Sequence, residues 1–324
     1  MPLRTGTSLQ ADIDTLEVAH HPLIEGLLYQ RHVTFIAGEP GVGKSILSSQ
    51  IAMSLSSGTM AFGSLTVPKP RRVYYLQLEG SYPDTIDRIR RMRTKVPVTT
   101  ENLAWDFRTG LDLLDNTQGQ ALLMDIASWG SPDLLIVDPL YQAVFGELSA
   151  ELPTKALLKF IDIARERFDP LAVLLNHHTR KASYGSDGKI IDEADPFYGS
   201  QWLKAYVDAS YTLRASPGRY KDRVFLKNQK DRYSVGLNEL ILHYDPETDT
   251  LDTDAPFDEQ SPYERGVKYL AACKAAGGTT DFFDVLDKCK VSHRNLRRIQ
   301  QSLLAKGLLR CDKRLEHKKI WEPV

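Results

Sequence analysis

Eight consecutive residues form a phosphate-binding pattern. From Gly38 to Ser45 the chain reads Gly-Glu-Pro-Gly-Val-Gly-Lys-Ser, which fits G-x-x-x-x-G-K-[ST] at every fixed position. Glycines in such a loop let backbone N–H groups converge on phosphate oxygens, and a helix that begins there adds partial positive charge. The pattern predicts a nucleotide site with Lys44 at the β- and γ-phosphates and Ser45 as a Mg²⁺ ligand. The residues expected to contact the nucleotide are Gly38, Glu39, Pro40, Gly41, Val42, Gly43, Lys44, Ser45 and Ile46.

Two carboxylates follow apolar strand patterns further along the chain. Asp138 closes Leu-Leu-Ile-Val-Asp, and Glu79 ends Val-Tyr-Tyr-Leu-Gln-Leu-Glu. A carboxylate at the end of a buried strand is costly unless something pairs with it, and Mg²⁺ shared with Ser45 would do so. Because the carboxyl ends of parallel strands meet in one crevice, we expect Glu79 there too, orienting and deprotonating the attacking water.

Two histidines end a further apolar run, Ala-Val-Leu-Leu-Asn-His-His. A polar side chain at this strand end is expected to touch the γ-phosphate and to report its loss. The spacing does not decide between His177 and His178, although His177 leaves the strand first.

The elements that must position these residues alternate between strand and helix from residue 31 to about residue 213. Short apolar runs alternating with helical patterns predict an α/β fold, a mainly parallel sheet sandwiched by helices. The predicted strands are 32–37, 71–80, 132–140 and 170–178, and the predicted helices are 44–58, 82–96, 118–131 and 154–169. Three later runs, 209–215, 222–230 and 238–245, predict antiparallel strands along one edge of that sheet.

Composition excludes a membrane-spanning protein. The 324 residues are 42% apolar and 26% charged, as in ordinary globular proteins. No apolar run approaches the roughly 20 residues that cross a bilayer. The polar N-terminal stretch lacks a signal-peptide core, so we expect a cytoplasmic protein.

Charge and turn composition divide the chain. Residues 246–261 are acidic and rich in turn formers, which predicts a linker between a nucleotide-binding domain, 1–245, and a small domain, 262–324. The small domain holds 14 Lys and Arg against 7 Asp and Glu, a net charge of +7, whereas residues 1–261 hold 27 against 35. A basic module on an acidic body is typical of a nucleic-acid contact, although a basic surface can also be merely solvated.

Three helical patterns followed by a hairpin pattern predict a winged helix in the small domain. Its third helix would place basic residues on one side, and its wing would add phosphate contacts. The residues expected to contact DNA there are Arg294, Arg297, Arg298, Lys318 and Lys319. Winged helices also bind proteins, and the sequence leaves that alternative open.

These motifs together resemble the RecA-like P-loop ATPases, and most closely the RepA-like hexameric replicative helicases of plasmids. RadA- and KaiC-like proteins belong to the same wider group. The resemblance covers roughly residues 20–245, with the phosphate loop, Glu79, Leu-Leu-Ile-Val-Asp-Pro-Leu and Asn-His-His-Thr-Arg-Lys in the same order.

The resemblance implies a six-membered ring with ATP between neighbouring subunits. A Lys or Arg of the adjacent subunit would then stabilise the transition-state charge, as an arginine finger does. The matching segment is Leu-Lys-Asn-Gln-Lys-Asp-Arg-Tyr, in which Lys230 and Arg232 fit the alternating pattern and Lys227 is the alternative.

The resemblance also implies a loop that faces the ring channel and grips single-stranded DNA. The expected contacts are Arg180, Lys181, Tyr184 and Lys189. The acidic residues Asp192, Glu193 and Asp195 argue against a loop that only binds DNA.

The sequence as a whole favours a Mg²⁺-dependent ATPase acting on DNA, a ring-forming homohexamer that translocates on single strands. It would work with replication or mobile-element proteins and could contact duplex DNA through the winged helix. Two alternatives remain: a DNA-organising or recombination-type ATPase, and a regulatory protein in which ATP switches a DNA- or partner-binding winged helix.

Overall fold

The chain divides into two units, Met1–Asp254 and Ala255–Val324. The computed structural model describes residues 5–15, 20–146, 150–179, 183–184, 190–192, 201–215, 223–253, 309–312 and 320–323. The first unit is an α/β domain with a mostly parallel central sheet, which confirms the predicted architecture of the core.

The elements are numbered in chain order. The helices are α1 (Gly6–Thr15), α2 (Lys44–Ser57), α3 (Tyr82–Met92), α4 (Asn116–Trp129), α5 (Glu151–Arg167) and α6 (Gln201–Tyr206). The strands are β1 (Pro22–Ile24), β2 (Leu28–Tyr29), β3 (Val33–Gly38), β4 (Val73–Gln77), β5 (Leu103–Phe107), β6 (Leu134–Asp138), β7 (Ala172–His178), β8 (Ser183–Tyr184), β9 (Ile190–Asp192), β10 (Ala209–Ala215), β11 (Arg223–Asp231), β12 (Glu239–Asp245), β13 (Thr250–Thr253), β14 (Leu309–Asp312) and β15 (Ile320–Pro323). Short 3₁₀ turns cover Thr100–Asn102 and Leu140–Gln142.

Nine strands form the central sheet in the order β13-β12-β11-β10-β3-β7-β6-β4-β5. From β10 to β5 all neighbours pair in parallel, and β11, β12 and β13 extend the β10 edge by antiparallel pairing. Residues 209–215 pair in antiparallel fashion with β11, as predicted, but on their other side β10 runs parallel to β3, so this strand also belongs to the parallel part of the sheet. The segment between β7 and β10 is long enough for the crossover that parallel pairing needs.

Helices cover both faces of the sheet. Alternate residues of a strand point to opposite faces, so Phe35 packs with Phe160 of α5, whereas Ile36 packs with Leu47 of α2. Leu23 of the β1–β2 hairpin joins the second of these clusters. Because β3 and β6 are buried along their full length, their sequences are apolar runs with no polar face.

Strand β5 was not predicted from the sequence. It pairs in parallel with β4 at the outer edge of the sheet, and all five residues are half-buried. An edge strand of this kind has neither a continuous apolar run nor a strict alternation, so Leu-Ala-Trp-Asp-Phe carries little strand signal.

Strand β13 lies inside the segment predicted to be a linker. It pairs with β12, and Leu251 is buried in the core below the sheet. The side-chain amide of Gln50 in α2 donates to the Leu251 carbonyl at 2.8 Å and accepts from the Leu251 amide at 2.7 Å. Residues 246–253 thus belong to the domain, because side-chain contacts with α2 hold a strand that composition alone does not reveal.

Asp249 of the segment predicted to be a linker, and Asp245 just before that segment, pair with α3 and the turn after it. Asp245 accepts a hydrogen bond from Lys95 at 2.6 Å, and Asp249 forms an ion pair with Arg91. These two ion pairs offset the charges of Asp245 and Asp249 within the domain.

The second unit is described through one hairpin, in which β14 pairs with β15 in antiparallel fashion and Cys311 lies opposite Trp321. This agrees with the hairpin pattern at the end of the sequence. The three predicted helices lie outside the described residues, so the winged helix stays a prediction. Among the helices of the described residues, none is long and apolar enough to span a bilayer.

Candidate nucleotide site

The phosphate loop joins β3 to α2, as the motif predicts. A Cβ at Gly38 would lie 2.6 Å from the carbonyl oxygen of Leu213 in the neighbouring strand β10, so only glycine fits at this position. Gly43 precedes α2 with a φ of 102°, a left-handed conformation that favours glycine. A Cβ at Gly41 or Gly43 would meet no atom within 4 Å, which leaves room over the loop for a phosphate chain.

Lys44 is the first residue of α2 and is only 4% exposed. Its ammonium donates to the carbonyl oxygens of Gly38 at 2.8 Å and Glu39 at 2.9 Å. Burial lowers the pKa of Lys44 to about 8, against the opposing effect of nearby carboxylates such as Asp138. A buried ammonium whose partners are carbonyl oxygens of its own loop and a histidine nitrogen is suited to bind an anionic ligand.

Asp138 ends β6, next to Gln77 of β4, and is 4% exposed. The hydroxyl of Tyr75 donates to its Oδ2 at 2.5 Å. Carboxylate and hydroxyl oxygens are the protein donors that suit Mg²⁺, so Asp138 and Ser45 fit the predicted metal ligands by their chemistry. Ser45 is the second residue of α2, and its carbonyl accepts from Ser49 at 2.6 Å.

Glu79 lies in the turn after β4, and its carboxylate has two neighbours. The hydroxyl of Tyr141 donates to Oε2 at 2.6 Å, and Nε2 of His178 lies 3.6 Å from Oε1. The Glu79 side chain is 40% exposed, so water reaches it. The structure brings this carboxylate to the crevice where the motif residues lie, as the strand order predicts.

The two histidines at the end of β7 point to opposite faces of the sheet. His178 turns to the nucleotide side, where its Nδ1 lies 3.2 Å from the Lys44 ammonium. His177 packs against Phe35 on the other face, with ring centroids 5.5 Å apart. His177, which the sequence suggested would leave the strand first, lies within β7 and faces away from Lys44 and Glu79, whereas His178 lies between them.

Burial shapes the charge of both imidazoles. Burial, followed by the nearby positive charge of Lys44, lowers the pKa of His178. Burial lowers the pKa of His177 to about 4. Because Lys44 can only donate, Nδ1 of His178 accepts and the ring proton sits on Nε2, which faces Glu79.

Lys230 and Arg232 lie at the end of β11 and beyond it, far along the sheet from β4. The Lys230 ammonium donates to the carbonyl oxygens of Lys204 at 2.6 Å and Val207 at 2.7 Å. The Arg232 guanidinium donates to Ala205 at 2.6 Å and forms an ion pair with Asp208 at 2.9 Å. Both side chains thus bind the C-terminal end of α6 in their own chain.

The remaining predicted positions can be placed only in part. Lys227 is exposed on β11, and Tyr184 belongs to the short strand β8. The other residues expected to contact nucleic acid lie outside the described residues: Arg180, Lys181, Lys189, Arg294, Arg297, Arg298, Lys318 and Lys319.

Four residues of the site were missed by sequence reasoning: Tyr75, Gln77, Trp105 and Tyr141. Tyr75 and Gln77 alternate along β4 and therefore share the face of the sheet that carries Asp138. The hydroxyl of Tyr75 and the amide of Gln77 in an otherwise apolar strand were the available signal.

The glycine loop, ending in Lys-Ser, joins a strand to a helix and forms a P-loop, and Asp138 lies two strands away in the parallel sheet. This arrangement defines a P-loop ATPase with a RecA-like core. The family model described as AAA domain matches residues 2–184. The chain belongs to this AAA domain family, and the expected RecA-like P-loop class is confirmed. Among curated proteins, none matches the sequence.

Two solved structures share the fold at low sequence identity, with TM-scores above 0.5, and a third is similar at a lower score. An isolated ATPase domain matches with a TM-score of 0.53 and 14% identity, over 76% of this chain and 96% of that one. A DnaB-like replicative helicase, solved to show its interactions with primase, matches with a TM-score of 0.54 and 13% identity, over 75% of this chain and 66% of that one. A KaiC-like protein from Pyrococcus horikoshii matches with a TM-score of 0.49 and 14% identity, over 72% of this chain and 93% of that one.

Proposed function

We propose that the protein is a Mg²⁺-dependent ATPase acting on DNA, a ring-forming RepA-like helicase that translocates on single strands. One observation supports the ATPase activity most: His178 lies between the Lys44 ammonium and the Glu79 carboxylate, at 3.2 Å and 3.6 Å. A phosphate-binding cation, a water-activating carboxylate and a polar group between them are the parts that hydrolysis of a γ-phosphate needs.

The residues have separate roles in the proposed hydrolysis. Lys44 exchanges the carbonyl oxygens of its loop for phosphate oxygens, and Glu79 orients water and accepts its proton. Ser45 and Asp138 would hold Mg²⁺, which would offset the negative charge of the phosphates during hydrolysis. Tyr141 keeps the Glu79 carboxylate in place by donating to one of its oxygens.

His178 is proposed as the sensor of the γ-phosphate. Its Nδ1 accepts a hydrogen bond from the Lys44 ammonium. A γ-phosphate that draws Lys44 away would therefore change the hydrogen-bond partners of the imidazole. Because Nε2 of the same ring faces Glu79, the change also reaches the carboxylate that activates water.

The ring and DNA contacts rest on the fold that the chain shares with a DnaB-like replicative helicase and on the resemblance of its motifs. In a ring, Lys230 and Arg232 would exchange the α6 carbonyl oxygens for phosphate oxygens of the neighbouring subunit. The segment before α6 is the proposed contact with single-stranded DNA, and the basic segment 262–324, with its net charge of +7, is the proposed contact with duplex DNA.

The proposal is tested by measuring the oligomer mass with ATP bound, together with ATP turnover in the presence and absence of single-stranded DNA. A closed ring whose turnover rises with single strands is expected. The Glu79→Gln variant should form the same ring but show no turnover above background, which ties the signal to this site. A monomer or dimer with a rate indifferent to DNA would contradict the helicase and favour a protein in which ATP acts as a switch.

A further inference from the structure

Tyr75 makes a contact that the roles assigned above do not require. It sits in the middle of β4, 1% exposed, and its hydroxyl donates to Oδ2 of Asp138 at 2.5 Å. Tyr75 lies opposite Ile136 in the parallel register, so its side chain reaches two residues along β6 to the Asp138 carboxylate on the same face of the sheet. A buried hydroxyl directed at the predicted metal ligand is a specific feature of this site.

Trp105 of the edge strand β5 holds the Tyr75 ring. The two residues are cross-strand partners, and their rings stack with centroids 4.1 Å apart and planes 11° from parallel. The indole N–H of Trp105 donates to Oε1 of Gln77 at 2.8 Å, and Nε2 of Gln77 donates to the carbonyl oxygen of Glu79 at 2.8 Å. One connected group of side chains therefore touches both carboxylate residues of the site.

We propose that Tyr75, backed by Trp105, is a positioning residue that fixes the Asp138 carboxylate for Mg²⁺ in the nucleotide complex. The inference rests on the proposed function, in which Asp138 serves the metal. It extends the site to the edge strand β5, which carries no phosphate-binding motif.

The physical reason is the rotation of a carboxylate. With Oδ2 held by the hydroxyl, the plane of the Asp138 carboxylate is set and Oδ1 is left for a metal or its water ligands. Groups that hydrogen-bond a metal ligand in this way account for roughly 10- to 100-fold in metal affinity or activity. The stacked and buried ring of Tyr75 has little freedom to follow a carboxylate that turns away.

The neighbouring Tyr74 provides a matched control. It lies on the same strand but on the opposite face, is 4% exposed, and its hydroxyl donates to Oδ2 of Asp106 at 2.6 Å. Asp106 keeps Arg108 as a second partner at 2.7 Å and takes no part in the nucleotide site. Replacing either tyrosine by phenylalanine removes one hydroxyl from a buried tyrosine that donates to an aspartate.

The experiment measures the affinity of the full-length protein for ADP, with saturating Mg²⁺ and with EDTA, for the wild type, Tyr75→Phe and Tyr74→Phe. In Tyr75→Phe we expect the gain in affinity that Mg²⁺ gives to fall by about tenfold, with affinity in EDTA unchanged. Tyr74→Phe should keep the wild-type gain. The midpoint of the Mg²⁺ titration should shift to higher concentration in Tyr75→Phe alone.

A second comparison separates positioning from a loss of packing. If Tyr75 acts through Asp138, Tyr75→Phe should have no further effect on the Mg²⁺ gain in an Asp138→Asn background. Trp105→Leu, which leaves the hydroxyl but removes the stacked ring, should reduce the gain by a smaller factor than Tyr75→Phe. Thermal unfolding without nucleotide shows whether each variant is folded.

The inference is overturned if Mg²⁺ raises the ADP affinity of Tyr75→Phe as much as that of the wild type. It is also overturned if Tyr75→Phe loses ADP affinity equally with and without Mg²⁺. Failure of the proposed function looks different, because the wild type itself would then gain no ADP affinity from Mg²⁺. Should Tyr75→Phe not fold, the Trp105→Leu titration decides alone: an unchanged Mg²⁺ gain overturns the inference, and a reduced one with unchanged affinity in EDTA supports it.

Discussion

The Nδ1 atom of His178 lies 3.2 Å from the ammonium of Lys44. The contact links β7, the strand next to the phosphate loop, to the residue that the motif assigns to the phosphates. On its other side the same ring faces Glu79, so a single imidazole contacts both the cation and the carboxylate of the site. The sheet register produces this arrangement, because His178 pairs with Gly38 at the start of the loop.

His178→Ala is expected to lower the turnover number for ATP by about 100-fold, the effect of removing one group that stabilises transferred charge. Nucleotide affinity should change little, because Lys44 and the loop amides remain. Steady-state hydrolysis and nucleotide titration of the same preparations measure both quantities.

His177→Ala is the companion variant for that measurement. Its side chain packs against Phe35 on the other face of the sheet, so it should retain far more activity than His178→Ala. The reverse order of the two activities would contradict the assignment of His178.

Nucleotide binding should take up a proton at alkaline pH. Because burial lowers the pKa of Lys44 to about 8, the free protein loses this charge as the pH rises above 8. Phosphate oxygens favour the ammonium, so in EDTA the affinity for ADP should fall by up to about tenfold per pH unit above pH 8. Calorimetry in buffers of different ionisation enthalpy measures the proton taken up.

Lys44→Arg is the control for this linkage, since a guanidinium stays charged throughout the range. Its affinity for ADP, although weaker at neutral pH, should not show the decline above pH 8. If the ADP affinity of the wild type and of Lys44→Arg declines equally above pH 8, the proton taken up on binding belongs to a group other than Lys44.

His177 should make the fold less stable in acid. Burial lowers the pKa of His177 to about 4 from the usual 6.5, so the unfolded chain binds the proton more readily. Its contribution is fully present above pH 6.5 and is lost as the pH falls toward 4, by at most about 3 kcal/mol. The lowered pKa of His178 acts in the same direction.

Urea unfolding between pH 7 and pH 4 measures this loss. In His177→Gln, which carries no ionisable group at this position, the free energy of unfolding should fall less steeply over the same range. An identical slope in the variant and the wild type would remove His177 from the explanation.

Gln50→Ala should destabilise the domain by about 2 to 4 kcal/mol, because it leaves the buried amide and carbonyl of Leu251 without partners. Gln118→Ala is the matched control, since Gln118 accepts one backbone hydrogen bond, from Asp112, in a less buried place. Chemical denaturation compares the two. Equal losses would show that the contact between α2 and β13 contributes no more than an ordinary side-chain cap.

Much of the core could be predicted from the sequence because its signals are local. The glycine loop, the fully buried strands β3 and β6, and the order of Lys44, Glu79 and Asp138 all follow from residue patterns within short windows. The convergence of these residues then follows from the geometry of parallel sheets.

The remainder depends on contacts between distant segments. β13 forms because Gln50 holds Leu251, a pairing between residues about 200 positions apart that no local pattern reveals. The position of His178 beside Lys44 depends on sheet register, and the contact of Tyr75 with Asp138 depends on β6 lying beside β4. The acidic residues around Asp249 predicted a linker because composition does not show that Arg91, the basic partner of Asp249, lies far away in the sequence on α3.

The central claim, that Lys44, Glu79, Asp138 and His178 form one hydrolytic site, is tested most directly with Glu79→Gln. ATP hydrolysis and ATP binding are measured side by side for this variant and the wild type, with Mg²⁺ present. The account predicts that Glu79→Gln binds ATP as tightly as the wild type and loses at least about 100-fold in hydrolysis. Hydrolysis at the wild-type rate in Glu79→Gln would contradict it and place the water-activating group elsewhere.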